Sequence, residues 1–161
     1  MTTTSTGDGA WTSVVGAVDI SDDVVIAHDV TLDGDVDMTG ELKINSGKSL
    51  NTTGSNHALT VNGDCIVDGT LTGNASAISL GSLAVGGTYS ATSGTTIITS
   101  ERSNGRAIDI VGTYTHNSGT LEIRTPADTD LRYPSSSSLN DLTINHASCI
   151  ARPTGDNKPV I

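Results

Sequence analysis

Apolar residues in this chain recur in pairs at i and i+2, and the pairs themselves recur every six residues. Val24, Val30, Val36 and Leu42 form one series. Ile26, Leu32, Met38 and Ile44 form a second, two residues later. Side chains two apart on a strand share a face, so each block (VVIAHD, VTLDGD, VDMTGE, LKINSG) reads as a short strand with one apolar side. The Asp, Gly, Asn or Ser that follows each pair turns the chain. Residues 48–58 (KSLNTTGSNHA) break the period and read as a loop. The period resumes at LTVNGD, CIVDGT and LTGNAS (59–76). After a slip of one residue it continues with Ile78 and Leu80, then Leu83 and Val85.

A longer repeat follows. GTYSATSGTTIITS (87–100) aligns with GTYTHNSGTLEIRT (112–125) at an offset of 25 residues, matching Tyr89 with Tyr114 and Ile98 with Ile123. Each copy reads as strand, Ser-Gly turn, strand, with the two tyrosines on neighbouring rungs or facing each other across a sheet. Self-similarity at such a period marks a repeat architecture. Residues 126–138, with two prolines and four consecutive serines, read as a turn-rich break, and 139–145 alternate again with Leu142 and Ile144 on one side.

Four segments result: a flexible N-terminal arm and anchor (1–19), a hexapeptide-like β region (20–86), a second β region (87–145) and an extended C-terminal tail (146–161). The predicted fold is all-β with stacked short strands. A parallel β-helix or trimeric β-prism is preferred, and a β-sandwich or jelly roll is the alternative. Short strands cannot bury an apolar face alone, whereas stacked rungs cover one another. About 20 core side chains at roughly 1.5–3 kcal/mol each stand against roughly 1–2 kcal/mol of backbone ordering per residue. That thin balance points to a homo-oligomer, with a trimer as the expected state.

Composition narrows the class. Gly (18), Thr (24), Ser (19) and Asn (10) fill 71 of 161 positions, and Phe and Gln are absent. The apolar supply is Val, Ile and Leu, which are mostly β-branched residues suited to strands. Helical bundles and Rossmann-type enzymes are excluded. No apolar run approaches the roughly 20 residues of a membrane span. The net charge is −10, nine of 18 acidic residues lie in the first 41 positions, and no Lys or Arg precedes Lys43. A nucleic-acid partner, which calls for a basic patch, is excluded for that part. The polar N-terminus carries no signal-peptide pattern, and Cys65 and Cys149 read as two buried thiols, in a chain expected to be made in a reducing cytoplasm or exported without a classical signal.

Candidate chemistry is sparse. Asp33, Asp35 and Asp37 alternate and, with Asp29, are the calcium candidates, because Ca²⁺ takes carboxylate oxygens. Their competing reading is a solvated outer face. His28, His57, His116 and His146 form no zinc spacing, and no nucleophile elbow or phosphate loop occurs. The chain is read as no enzyme, with no cofactor. Tyr89 and Tyr114 read first as core packing and, as the competing reading, as candidate glycan contacts, and Trp11 is the candidate anchor of the N-terminal arm.

The stretches VTLDGDVDMTGELKINSGKSLN and LTVNGDCIVDGTLTG resemble repeats of tailed-bacteriophage virion proteins, namely tail fibres, head fibres and capsid-decorating proteins. GTYTHNSGTLEI and LNDLTIN are similar to repeats of β-helical phage and autotransporter-type surface proteins. The resemblance covers roughly residues 20–145 and implies a β-solenoid or β-prism. It also implies a structural role on the virion exterior, with assembly in the host cytoplasm and major capsid or tail proteins as partners. The alternative is a host-surface adhesin that recognises glycan.

Overall fold

The computed structural model describes residues 1–16, 21–126, 128–134 and 137–146, together with the backbone of 151–153. It is a parallel β-solenoid of about six turns. The chain runs round a triangle, one short strand to a side, and each turn stacks on the last. The first turn holds β1 (Thr2–Thr4), β2 (Gly9–Ala10) and a single helical turn, α1 (Trp11–Val14). The second holds β3 (Asp23–Ile26), β4 (Val30–Thr31) and β5 (Val36–Met38). Next come β6 (Leu42–Ile44), β7 (Ser49–Asn51) and β8 (Leu59–Val67), which rounds a corner into the following turn. β9 (Thr70–Thr72) and the equally bent β10 (Ile78–Val85) lead to β11 (Thr88–Ser90), β12 (Thr95–Ile98) and β13 (Arg106–Ile110). β14 (Thr113–Thr115), β15 (Thr120–Ile123), β16 (Thr129–Arg132), β17 (Asp141–Ile144) and β18 (Ala151–Pro153) complete the order.

Two sheets result. A 12-stranded sheet covers two sides of the triangle, joined through the bends of β8 and β10, and a six-stranded sheet (β14-β11-β9-β7-β4-β2) covers the third. All recorded pairings are parallel. The hexapeptide period is thereby explained: six residues make one side of the triangle, and three sides return the chain to the same place. Val24 therefore sits beside Leu42, eighteen residues on. Longer turns carry their extra residues at corners. The tyrosine repeat at offset 25 is one such longer turn, with Tyr89 beside Tyr114.

The inward positions form columns. Val24, Leu42, Cys65, Leu83 and Ile108 run along one side, Val30, Leu50, Leu71, Tyr89 and Tyr114 along the second, and Val36, Leu59, Ile78, Thr96 and Leu121 along the third. All are buried, and the apolar ones belong to a single core cluster that includes Trp11. One chain thus lines a continuous interior of its own along the described turns.

Three expectations are corrected locally. Residues 1–10 are not a loose arm, because β1 pairs with β3 and β2 with β4. Its inward position is Thr3, so no apolar signal marked the strand. The stretch 48–58 contains β7, whose Leu50 is fully buried. The break at 126–138 contains β16, with Thr129 and Leu131 buried and Tyr133 behind them. In the tail, β18 pairs with β16, while Cys149 lies outside the described residues.

Candidate functional site

The interior is filled, so function falls to the outer faces. The candidate glycan contacts Tyr89 and Tyr114 point inward: Tyr89 is 0% exposed and Tyr114 6%. Their rings meet edge to face with centroids 5.7 Å apart, and Tyr114 meets Tyr133 the same way at 5.4 Å. The Tyr89 hydroxyl shares a 2.8 Å hydrogen bond with Thr96 Oγ1, and the Tyr133 hydroxyl donates to the Ser138 carbonyl. Burial pushes the Tyr114 phenol up to about 12 and the Tyr89 and Tyr133 phenols higher still. No ring face is offered to a sugar, so the glycan reading of these two residues is corrected. They are core.

Trp11 is likewise buried, at 6% exposure. α1 takes the place of a strand on the third side of the first turn, and Trp11 borders the same surface cleft as Val36 and Met38 of the turn above. It anchors the N-terminal segment to the chain's own core.

The four aspartates serve the turns beside them rather than a common ion. Asp33 accepts from the backbone amide (3.1 Å) and the hydroxyl of Thr12, and these bonds hold its carboxyl below the ordinary carboxylate range. Asp35 accepts from the Ala58 amide and lies 3.7 Å from His57 Nδ1. Asp37 accepts from Asn62, and Asp29 from the Ser49 hydroxyl. Among the described residues, no three His, Cys, Asp or Glu side chains converge as a metal site. The histidines are also spread out: His28 Nδ1 meets the Ser5 hydroxyl, and His116 Nδ1 accepts from the Ser118 amide. Cys65 is a buried free thiol in the first inward column, and burial raises it to about 12.

Sequence reasoning missed the ion pairs that cross-link the outer face of the 12-stranded sheet. Asp109 lies between Arg106 (3.1 Å) and Arg132 (3.4 Å). Arg124 forks onto Glu122 at 2.8 and 2.9 Å, Asn145 donates to the same carboxylate, and Glu122 is held below its ordinary range by these donors. Arg102 pairs with Asp64, and Lys43 with Asp68. The partners of Arg132 and Asn145 stand 23 residues back, one turn away, so turn length was the signal that could have found them. Two open clefts lie on this sheet's outer surface. One of about 340 Å³ runs past Thr60, Ser76, Ser79, Thr95 and Ile97. The other, of about 290 Å³, lies among Ile66, Ala84, Val111 and the paired Arg102, Asp109 and Arg132. The six-stranded sheet is different: every outward side chain on β4, β7, β9, β11 and β14 is Thr, Ser or Asn, and none is charged.

No protein-family model, curated protein or solved structure matches the chain.

Proposed function

We propose that the chain is a non-enzymatic structural protein of the tailed-bacteriophage exterior, decorating the capsid or forming a short head or tail fibre. The observation that carries the reading is the inner ladder of buried, mainly aliphatic and tyrosine side chains that runs through successive turns. It makes the molecule a stiff spacer whose length grows by one strand spacing per turn and whose interior has no room for a substrate. The resemblance of residues 20–145 to phage fibre and decoration repeats supplies the biological setting, including assembly in the host cytoplasm. With Trp11 built into the first turn, contact with capsid or tail proteins falls to the outer face of the 12-stranded sheet. Its charged side chains suit specific, register-setting association. Copies of the chain meet each other on the particle rather than to complete a core. The adhesin alternative loses its two tyrosines and is not favoured.

The test is cosedimentation of the recombinant chain with empty heads and with tails of tailed phages through a sucrose cushion. The proposal expects saturable, stoichiometric pelleting with one of them. A chain that stays in the supernatant with every particle, yet binds a bacterial surface glycan on an array, would reverse the reading in favour of the adhesin.

A further inference from the structure

The cleft of about 290 Å³ on the first side of the triangle has an aliphatic floor and charged banks. Along the outward column of this side, Ile66, Ala84, Asp109 and Arg132 follow one another from turn to turn. Ala84 is the small residue of the four, and the dip it leaves is the floor. Val111 stands at the corner beside it, where its amide donates to the Val85 carbonyl, and its side chain is 54% exposed. Arg102 reaches the cleft from the opposite corner, the loop between β12 and β13, with its Nε 3.4 Å from Asp64. Among the described residues, the other strongly exposed large apolar side chains are Met1 and Ile144, near the two ends of the described chain.

The carboxylates at this cleft are engaged, and the guanidinium groups are not used up. Both oxygens of Asp109 are taken, one by Arg106 and one by Arg132, and Asp68 faces Lys43 at 3.4 Å. A guanidinium carries five N–H donors in a planar fork. Arg102 uses one nitrogen on Asp64 and Arg132 one on Asp109, and among the described residues neither makes a further ion pair or side-chain hydrogen bond. The cleft is therefore left with open cationic donors, on a chain of net charge −10. A carboxylate completes such a site, because its two oxygens match the fork. The aliphatic floor and the exposed Val111 call for an apolar group beside it.

We propose that this cleft is a docking site for a partner protein, and that it receives a segment presenting a glutamate or aspartate next to an aliphatic side chain. The inference rests on the reading of the outer face of the 12-stranded sheet as the surface that meets other virion proteins, and it names the spot. Arginine beside a small apolar patch is typical of the few residues that carry most of the binding at protein interfaces. A second copy of the chain fits less well. The exposed aspartates of its early turns, Asp33, Asp35 and Asp37, stand beside the buried Leu32, Val36 and Met38, so they offer charge without an apolar anchor. A sugar acid fits less well too, because Trp11 and all three tyrosines are buried and none is free to stack on a ring.

The probe is the peptide acetyl-Glu-Leu-Glu-amide, titrated into the isotope-labelled whole chain and followed by amide chemical shifts. The proposal expects saturable shifts centred on Ala84, Arg102, Val111 and Arg132. Replacing both glutamates of the peptide by glutamine, or its leucine by glycine, should weaken binding roughly tenfold. In the protein, Arg132→Gln and Val111→Ser should each do the same with circular dichroism unchanged. Arg124→Gln, on the third side, should bind as the parent does. Should Arg132→Gln fail to fold, Arg102→Gln serves in its place. Absence of saturable shifts in the parent chain overturns the proposal. So do shifts that the glutamine peptide reproduces, or that Arg124→Gln abolishes as fully as Arg132→Gln. Glucuronate that gives the same shifts at lower concentration than the peptide, or a light-scattering dimer of the parent that Val111→Ser breaks, hands the cleft to a sugar acid or to a second copy and overturns it as well. The two readings fail separately. Peptide binding without pelleting on any particle upholds the cleft and removes the virion setting, whereas pelleting without peptide binding overturns the cleft alone.

Discussion

At the scale of single residues, the tyrosines show how the inner columns are chosen. Tyr89 stands where the turns before it have Leu50 and Leu71, and Tyr114 and Tyr133 continue upward from it in edge-to-face contact. Such pairs are worth about 0.5–1.5 kcal/mol beyond their burial. The inward Tyr89 hydroxyl would be costly in an apolar core, and Thr96 on the facing side supplies its partner. Burial raises all three phenols, Tyr114 to about 12. An acid raised by folding contributes stability that is complete below its unfolded value, about 10 for tyrosine, and is lost as pH rises through the folded value. Titration from pH 9 upward should therefore show no phenolate absorbance while the strand signal persists, and then both changes together. Phenolate that appears near pH 10 with the fold intact would place the rings at the surface.

At the scale of elements, the corners decide how closely turns stack. Gly69, Gly87 and Gly112 lie one above another where the first side meets the second. A Cβ on Gly87 would press into the Gly69 carbonyl, and one on Gly112 into that of Gly87. Overpacking of this kind costs about 1–3 kcal/mol, so Gly87→Ala should lower the unfolding free energy measured in urea by an amount of that order. Gly54, in the corner loop after β7, has open space around it, and Gly54→Ala should be neutral or slightly stabilising. α1 is held to the turn above through Asp33 and Thr12. Because Asp33 is held below its ordinary range, that contact is present above the unfolded carboxylate value of about 3.9 and is lost as pH falls through the lower folded one. Trp11 emission should be blue-shifted at neutral pH and should move red below about pH 4. Solvent-like emission at neutral pH would detach the segment from the fold.

At the scale of the whole molecule, the three-sided coil was written in the hexapeptide pairs. Val24/Ile26, Val30/Leu32, Val36/Met38 and Leu42/Ile44 are all inward and buried. Where the spelling failed, an inward position was polar or a corner had grown. Thr3 and Thr129 face inward without being apolar, and Leu50 stands alone between two corner segments. The tyrosine register was legible from the 25-residue offset, and the inward direction was the favoured reading. A Tyr flanked by Thr on both sides leaves an outward sugar platform as the competing one, and alignment with Leu71 settles the matter. The same ambiguity hid the outward threonines on either side, which become visible once the turns are stacked. The Arg132–Asp109 pair and the Asn145–Glu122 bond needed the same knowledge, because their partners are 23 residues apart, a full turn.

One chain forms a continuous solenoid from β1 onward, leaving its outer faces for function. Residue-resolved amide hydrogen exchange on the isolated chain tests it most directly. Slow exchange is expected for the paired amides of β7 (Ser49–Asn51) and measurable protection in β1 (Thr2–Thr4), alongside the slow central strands β8 and β10. Exchange at unprotected rates in β1 and β7, with protection confined to residues 59–125, would contradict it and restore a loose arm and a long loop to the N-terminal third.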